Sequence, residues 1–241
     1  MKLIVSDFDL TLFDDNYDEN IKLVNELNEE DFMFVIATGR SIDLLKKDLK
    51  NINFKYLICS DGSVILDDKF DMLKSITFSK DIIDEIITLL KNDSNLVRIE
   101  IDENIKGISG VYAVFNDLKY AGERLNYIIK NYDVSGYVST NGINIINKNI
   151  SKVEGIEYIK KITGINDIYT IGDNINDLEM ISKYNGYMIG KEVKNFKEFI
   201  EKIVNIWETL ISFFFCYKKT LESNLRLDII SYDTNQWLCL R

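Results

Sequence analysis

Short, uninterrupted apolar runs alternate with stretches of helical spacing at both ends of this chain, and that alternation constrains its fold more than any other feature. Lys2 to Ser6, Met33 to Ala37 and Tyr56 to Cys59 are such runs, the pattern of strands buried on both faces of a parallel sheet. Ile21 to Asn28 and Ser41 to Leu49 lie between them with helical spacing, so the first sixty residues predict β-α-β-α-β. The polar Ser60-Asp61-Gly62 ends the alternation. From about Leu66 the pattern changes, with helices expected at Ile82 to Lys91 and Leu118 to Asn131. Strands are expected there at Leu96 to Ile101, Val111 to Phe115, Gly136 to Thr140 and Ile143 to Asn147.

After Ser151 the first pattern returns: a helix to about Ile162, a strand at Ile168 to Ile171, a helix at Asn176 to Ser182, a short strand at Gly186 to Ile189 and a helix from Asn195 to Ile206. The expected architecture is therefore α/β, a parallel-sheet core in two segments, 1–66 and 148–206, interrupted by an α+β layer at 67–147. Residues 207–241 hold both tryptophans and two of the three cysteines without a clear amphipathic period. They are expected to be an appendage that adds no site residue.

Composition narrows the chemistry. The formal charge is −10, which repels a nucleic-acid backbone, and no nucleic-acid partner is expected. With no histidine, Ser-His triads, histidine zinc sites and phosphohistidine chemistry are excluded, so proton transfer falls to carboxylates, Lys, Tyr, Cys or water. Cys59, Cys216 and Cys239 show neither CxxC spacing nor an even count, which suits a reducing compartment. The amino terminus meets Asp7 before any secretory h-region forms, and the apolar run Leu210 to Tyr217 is far short of the ~20 residues of a membrane span. A cytoplasmic protein without a membrane partner is expected.

Two acidic clusters carry the functional signal. Asp7-Phe8-Asp9-Leu10-Thr11 follows the first strand, at the carboxyl edge where open parallel sheets bind ligands. Alternating carboxylates there suit a hard cation such as Mg²⁺ and leave one carboxylate for proton transfer, although acidic residues are also ordinary in surface loops. Gly172-Asp173-Asn174-Ile175-Asn176-Asp177 follows a later strand and opens a helix, where Asp173 alone could be a plain helix cap. Both clusters together would crowd four like charges into one crevice, tolerable only with a cation or shifted pKa values. Thr38-Gly39-Arg40-Ser41 joins a strand to a helix and can face an anion or simply cap that helix. Lys152, opening another helix, can supply a compact positive charge or be one more solvated lysine.

In order and spacing, these residues resemble the haloacid dehalogenase superfamily phosphatases of the Cof type, over about residues 1 to 205. The family's DxDxT matches Asp7, Asp9 and Thr11; its second motif matches Thr38 in ATGR; its lysine matches Lys152; its GDxxND matches Asp173, Asn176 and Asp177. Asp61 stands where relatives more often carry Asn. The resemblance implies a Rossmann-like core with an α/β cap, and a Mg²⁺-dependent hydrolase of a small phosphomonoester, usually a sugar phosphate. Asp7 would be the nucleophile and Asp9 the acid/base, with Mg²⁺ on Asp7, the Asp9 carbonyl and Asp173. Thr38, Gly39, Lys152 and Asn176 would hold the phosphate, Asp177 would orient Lys152 or a metal-bound water, and Thr11 would fix the nucleophile loop. A phosphomutase of the phosphomannomutase type and a non-catalytic sugar-phosphate-binding protein are the alternatives. The cap would read the substrate, with Arg98, Lys106, Tyr112, Lys119 and Arg124 as candidate contacts. Oligomeric state leaves no trace in the sequence.

Overall fold

The computed structural model describes residues 1–139, 142–209 and 211. The chain divides into two compact units, Met1–Lys197 and Glu198–Arg241; in the second, residues 198–209 are helical. Beyond residue 211 the expected appendage lies outside the described residues.

A seven-stranded sheet organises the first unit, in the order β11-β10-β1-β2-β3-β4-β5. Its strands are β1 (Lys2–Ser6), β2 (Phe32–Ala37), β3 (Tyr56–Cys59), β4 (Val64–Asp67), β5 (Met72–Ser75), β10 (Ile168–Gly172) and β11 (Asn185–Met188). The first three and the last two are parallel, as their continuous apolar runs require, and every residue of β1 and β10 is buried. Helices α1 (Tyr17–Asn25), α2 (Ile42–Asp48), α5 (Lys152–Thr163) and α6 (Leu178–Lys183) connect or cover them. Val153, Ile156 and Ile159 of α5 and Met180 of α6 close over Leu3, Val5, Val35 and Ile58. Phe196 meets Phe34 edge-on from the other face, ring centroids 6.2 Å apart.

The large sheet runs past the expected boundary at residue 66. β4 and β5 pair antiparallel as a hairpin on β3, so the chain leaves the sheet only after Ser75. The turn between them passes through Phe70 at φ 65°, where neither Gly nor Pro marks it.

The inserted layer holds α3 (Lys80–Lys91), β6 (Leu96–Asn104), β7 (Gly107–Phe115), α4 (Leu118–Asn131), β8 (Val134–Val138) and β9 (Gly142–Asn147). Its strands form a separate antiparallel sheet in the order β6-β7-β9-β8. Period-two alternation gives that sheet one apolar face: Val111, Ala113, Ile143 and Ile145 pack on Ile83, Ile86 and Leu90 of α3 and Leu125 and Ile128 of α4. The opposite face is polar and turns toward the carboxyl edge of the large sheet, where its residues line a shared cavity. The fold is a parallel-sheet α/β core with an inserted cap. No helix among the described residues is long and apolar enough to cross a membrane.

Candidate active site

Strand order reverses at β1, which has β2 on one side and β10 on the other, so the loops after β1 and β10 open a crevice at the sheet's carboxyl edge. Asp7 and Asp173 both emerge there. The Asp7 N–H donates to the Ile171 carbonyl at 2.9 Å, and the Thr11 hydroxyl donates to Asp173 Oδ1 at 3.1 Å, tying the two acidic loops together across 162 residues of chain. Lys152 enters from the start of α5. Its Nζ lies 2.5 Å from Asp7 Oδ1 and 2.7 Å from Asp177 Oδ1, with all three side chains buried. Asp177 Oδ2 accepts the backbone N–H groups of Asp173 (3.2 Å) and Asn174 (3.1 Å). That fold-back needs Gly172, where a Cβ would stand 2.4 Å from Asp177 Cβ. With both oxygens engaged, Asp177 anchors Lys152 and its own loop.

The charges do not balance. Desolvation pushes Asp7 up to about 8, against the pull of Lys152, and the nearby Asp177 and Asp173 add to the rise. Lys152, although desolvated, is held above its ordinary value by Asp7, Asp177 and Asp61. One secure ammonium thus serves three buried carboxylates and leaves them undercompensated. Burial and Asp177 also raise Asp173, against the pull of the Thr11 hydroxyl and Lys152, so a third carboxylate beside Asp7 lacks full compensation. Carboxylate oxygens of Asp7, Asp173 and Asp177 lie within 4.8 Å of one another. Hard oxygen donors carrying excess negative charge fit Mg²⁺. Because Asp177 is already satisfied, Asp7 and Asp173 are the side chains free to hold it.

Sequence reasoning named most of these residues and missed two partners. Arg40 grips the Asp9 carboxylate through two nitrogens, Nε to Oδ2 at 2.8 Å and Nη2 to Oδ1 at 2.5 Å. It also bonds Asp48 and lies over the rings of Phe8 and Phe13. The ATGR string contained it, but only the fold brings it to Asp9. Tyr137, from β8 of the cap, donates to Asp61 Oδ2 at 2.9 Å, and Asn176 donates to the same carboxylate. Burial holds Asp61 above the ordinary carboxylate range, and it stands over Gly39, beside the expected phosphate position. Thr38 is buried, and its hydroxyl accepts the Arg40 N–H at 3.1 Å.

The Ser60-Asp61-Gly62 turn that carries Asp61 is tightly constrained. Ser60 and Asp61 adopt φ of 51° and 54°, and Gly62 reaches 109°, with a Cβ there landing 2.2 Å from the Ser151 carbonyl oxygen. Gly62→Ala is therefore expected to cost about 2 kcal/mol or more, read as a lower urea midpoint at unchanged slope. An unchanged midpoint would show that the turn is not strained. Ser60 also donates to Asp102 of the cap, so this turn and Tyr137, with Ser63 donating to the Ser109 carbonyl, help seat the cap on the core.

Between cap and core lies a cavity of about 900 Å³. Asp7, Asp9, Gly39, Arg40, Asp173 and Asn176 line its floor, and the polar face of the cap sheet forms its roof. Of the basic cap residues expected to reach substrate, none lines it; Tyr112 alone among those candidates does. Arg124 pairs with Asp93 and Tyr120 on the helical side of the cap.

A sequence model of the haloacid dehalogenase-like hydrolases matches this chain over residues 4–135 and 111–207. No curated protein matches the sequence at a significant level. Solved structures do match. A structure from Plasmodium vivax described as a HAD/COF-like hydrolase aligns at TM-score 0.72 with 19% identity, over 86% of this chain and 96% of that one. A haloacid dehalogenase-like hydrolase from B. subtilis aligns at 0.68 with 15% identity, over 79% and 90%. The sucrose-phosphatase of Synechocystis sp., solved with sucrose and phosphate, aligns at 0.60 with 15% identity, over 84% and 96%. At these identities the likeness is one of fold.

Proposed function

The chain belongs to the haloacid dehalogenase-like hydrolases, and from that premise we propose that it hydrolyses a small phosphomonoester, a sugar phosphate, through a phosphoryl group carried on Asp7. The observation that carries this reading is the buried Asp7 carboxylate at the switch point, braced by Lys152 and facing the cavity between core and cap.

Asp7 Oδ1 is engaged by Lys152, which leaves Oδ2 to attack phosphorus. The bond from phosphorus to the leaving oxygen breaks as the new one forms, and Asp9, two residues on at the cavity floor, released by Arg40 and protonated when substrate binds, gives that oxygen its proton. Asp9 then takes a proton from the water that attacks the same phosphorus, and Asp7 is released as a carboxylate. This division of labour needs no histidine. Lys152, Thr38 and the Gly39 N–H neutralise and orient the phosphoryl oxygens, while Asp177 fixes the ammonium. Bound Mg²⁺, held by Asp7, Asp173 and the Asp9 carbonyl, would offset the excess negative charge and polarise the phosphoryl group. The cap, seated through Ser60 and Tyr137, keeps bulk water from the acyl phosphate.

Phosphate release from a panel of sugar phosphates should appear with Mg²⁺, vanish in excess chelator and fail to return with Ca²⁺, whose longer bonds and higher coordination suit the site poorly. Undiminished turnover in chelator would defeat the metal assignment. Isomerisation of a sugar phosphate without phosphate release would replace hydrolysis by phosphoryl transfer to a hydroxyl.

A further inference from the structure

The polar face of the cap sheet has a composition that the phosphate chemistry does not call for. Cross-strand pairing places Glu100 opposite Tyr112 and Asp102 opposite Gly110, and it sets Asn144 between Tyr112 and Tyr137, so these side chains share one face. That face lines the cavity above the reacting atoms. Where it lines the cavity it offers carboxylates, phenols, an amide and Ile146, and no cation. Arg40 is the only basic residue lining the cavity among the described residues, and Asp9 and Asp48 already engage it. Asp43 of α2 and Glu103 of β6 add further carboxylates to the cavity lining.

The protein also shows how this face receives a cation. At its edge, outside the cavity lining, the Arg98 guanidinium sits 3.2 Å from Glu100 and 5.9 Å from the Tyr112 ring centroid. A carboxylate beside an aromatic face holds positive charge by Coulomb attraction and by the ring quadrupole. Ionised carboxylates accept hydrogen bonds and donate none, so they recognise N–H and O–H groups and repel a second anion.

We propose that this face sorts substrates by the charge of the leaving group, favouring an ammonium-bearing phosphomonoester over its neutral hydroxyl counterpart, and the neutral one over an anionic one. Glu100 and Asp102 carry the discrimination, with Tyr112 and Tyr137 as the surfaces on which the leaving group lies. This rests on the phosphatase reading above and goes beyond it by naming what the cap selects.

The test compares kcat/KM within two matched pairs. Glucosamine 6-phosphate differs from glucose 6-phosphate only in an ammonium at one carbon, and sorbitol 6-phosphate differs from 6-phosphogluconate only in a hydroxymethyl in place of a carboxylate. With Mg²⁺ present, the first member of each pair should be favoured roughly tenfold or more. Both ratios should shrink in Glu100→Gln, which also frees Arg98, and in Asp102→Asn, which keeps an acceptor for Ser60. Equal rates within the pairs, preference for the anionic member, or ratios unmoved in both variants would overturn the inference. Hydrolysis of p-nitrophenyl phosphate separates the two levels. If it proceeds while the pairs show no discrimination, or are not hydrolysed, the selection fails and the phosphatase reading stands. If no compound releases phosphate, both fail together.

Discussion

Asp7→Asn should reduce phosphate release by at least ~10⁴-fold, the scale on which loss of a covalent nucleophile is felt, while the protein stays folded. Asn keeps the shape of the side chain and can still accept from Lys152, but it cannot form the phosphoryl bond. Its stability should carry a second signature. In the metal-free protein, burial lifts the Asp7 pKa from 3.8 to about 8, so between those values the native state binds a proton that the unfolded chain has lost. A group raised in this way costs stability increasingly as pH rises from about 4 to 8, and the variant is free of that cost. Metal-free Asp7→Asn should therefore gain on the wild type in melting temperature from pH 5 to pH 8. A variant that retained near wild-type turnover would remove Asp7 as nucleophile. One that lost stability relative to wild type as pH rose would contradict the charge imbalance at the site.

Lys152→Met should be the most damaging single change. It removes the ammonium shared by Asp7 and Asp177 and leaves buried carboxylates without compensation, a loss on the order of 3–5 kcal/mol. Protonation relieves unpaired carboxylates, so the loss should be larger at pH 8 than at pH 5, read from denaturant midpoints at the two values. Turnover should vanish with it, since the phosphoryl oxygens lose their buried cation. A loss below about 1 kcal/mol at both pH values would mean that the three side chains are not coupled as the geometry places them.

The parts of the fold legible in the sequence are those whose pattern is set by burial on both faces or by capping. Lys2 to Ser6, Tyr56 to Cys59 and the helix Leu118 to Asn131 fall where periodicity puts them, because continuous burial and a clean amphipathic stripe leave little choice. The β4–β5 hairpin was not legible. Its two four-residue strands are joined by Asp68-Lys69-Phe70-Asp71, where a left-handed Phe takes the place that Gly usually signals. Pairing partners decide such edge strands, and a single sequence does not reveal partners.

The candidate site divides along the same line. Asp7, Asp9, Asp173 and Asp177 could be named because each stands directly after an apolar run or at a helix start, and Lys152 because it opens a helix. What local spacing does not contain is the contact made through the tertiary fold. Arg40 gripping Asp9 joins two different loops, and Tyr137 reaching Asp61 joins cap to core. The basic cap residues illustrate the converse: Arg98 and Arg124 invite a role in phosphate recognition by type, but Arg98, on the same strand face as Glu100, is held by Glu100 outside the cavity lining, and Arg124 lies on the helical side of the cap. Side-chain type suggests chemistry, and the place and partners the fold gives a side chain decide whether that chemistry meets substrate.

The most direct measurement is acid quench of the enzyme during turnover, followed by mass analysis of the peptide that contains Asp7. A phosphoryl group should be found on Asp7, labile to hydroxylamine as an acyl phosphate is, and absent from Asp7→Asn. Steady phosphate release with no modified Asp7, or with the phosphoryl group on another residue, would contradict the account.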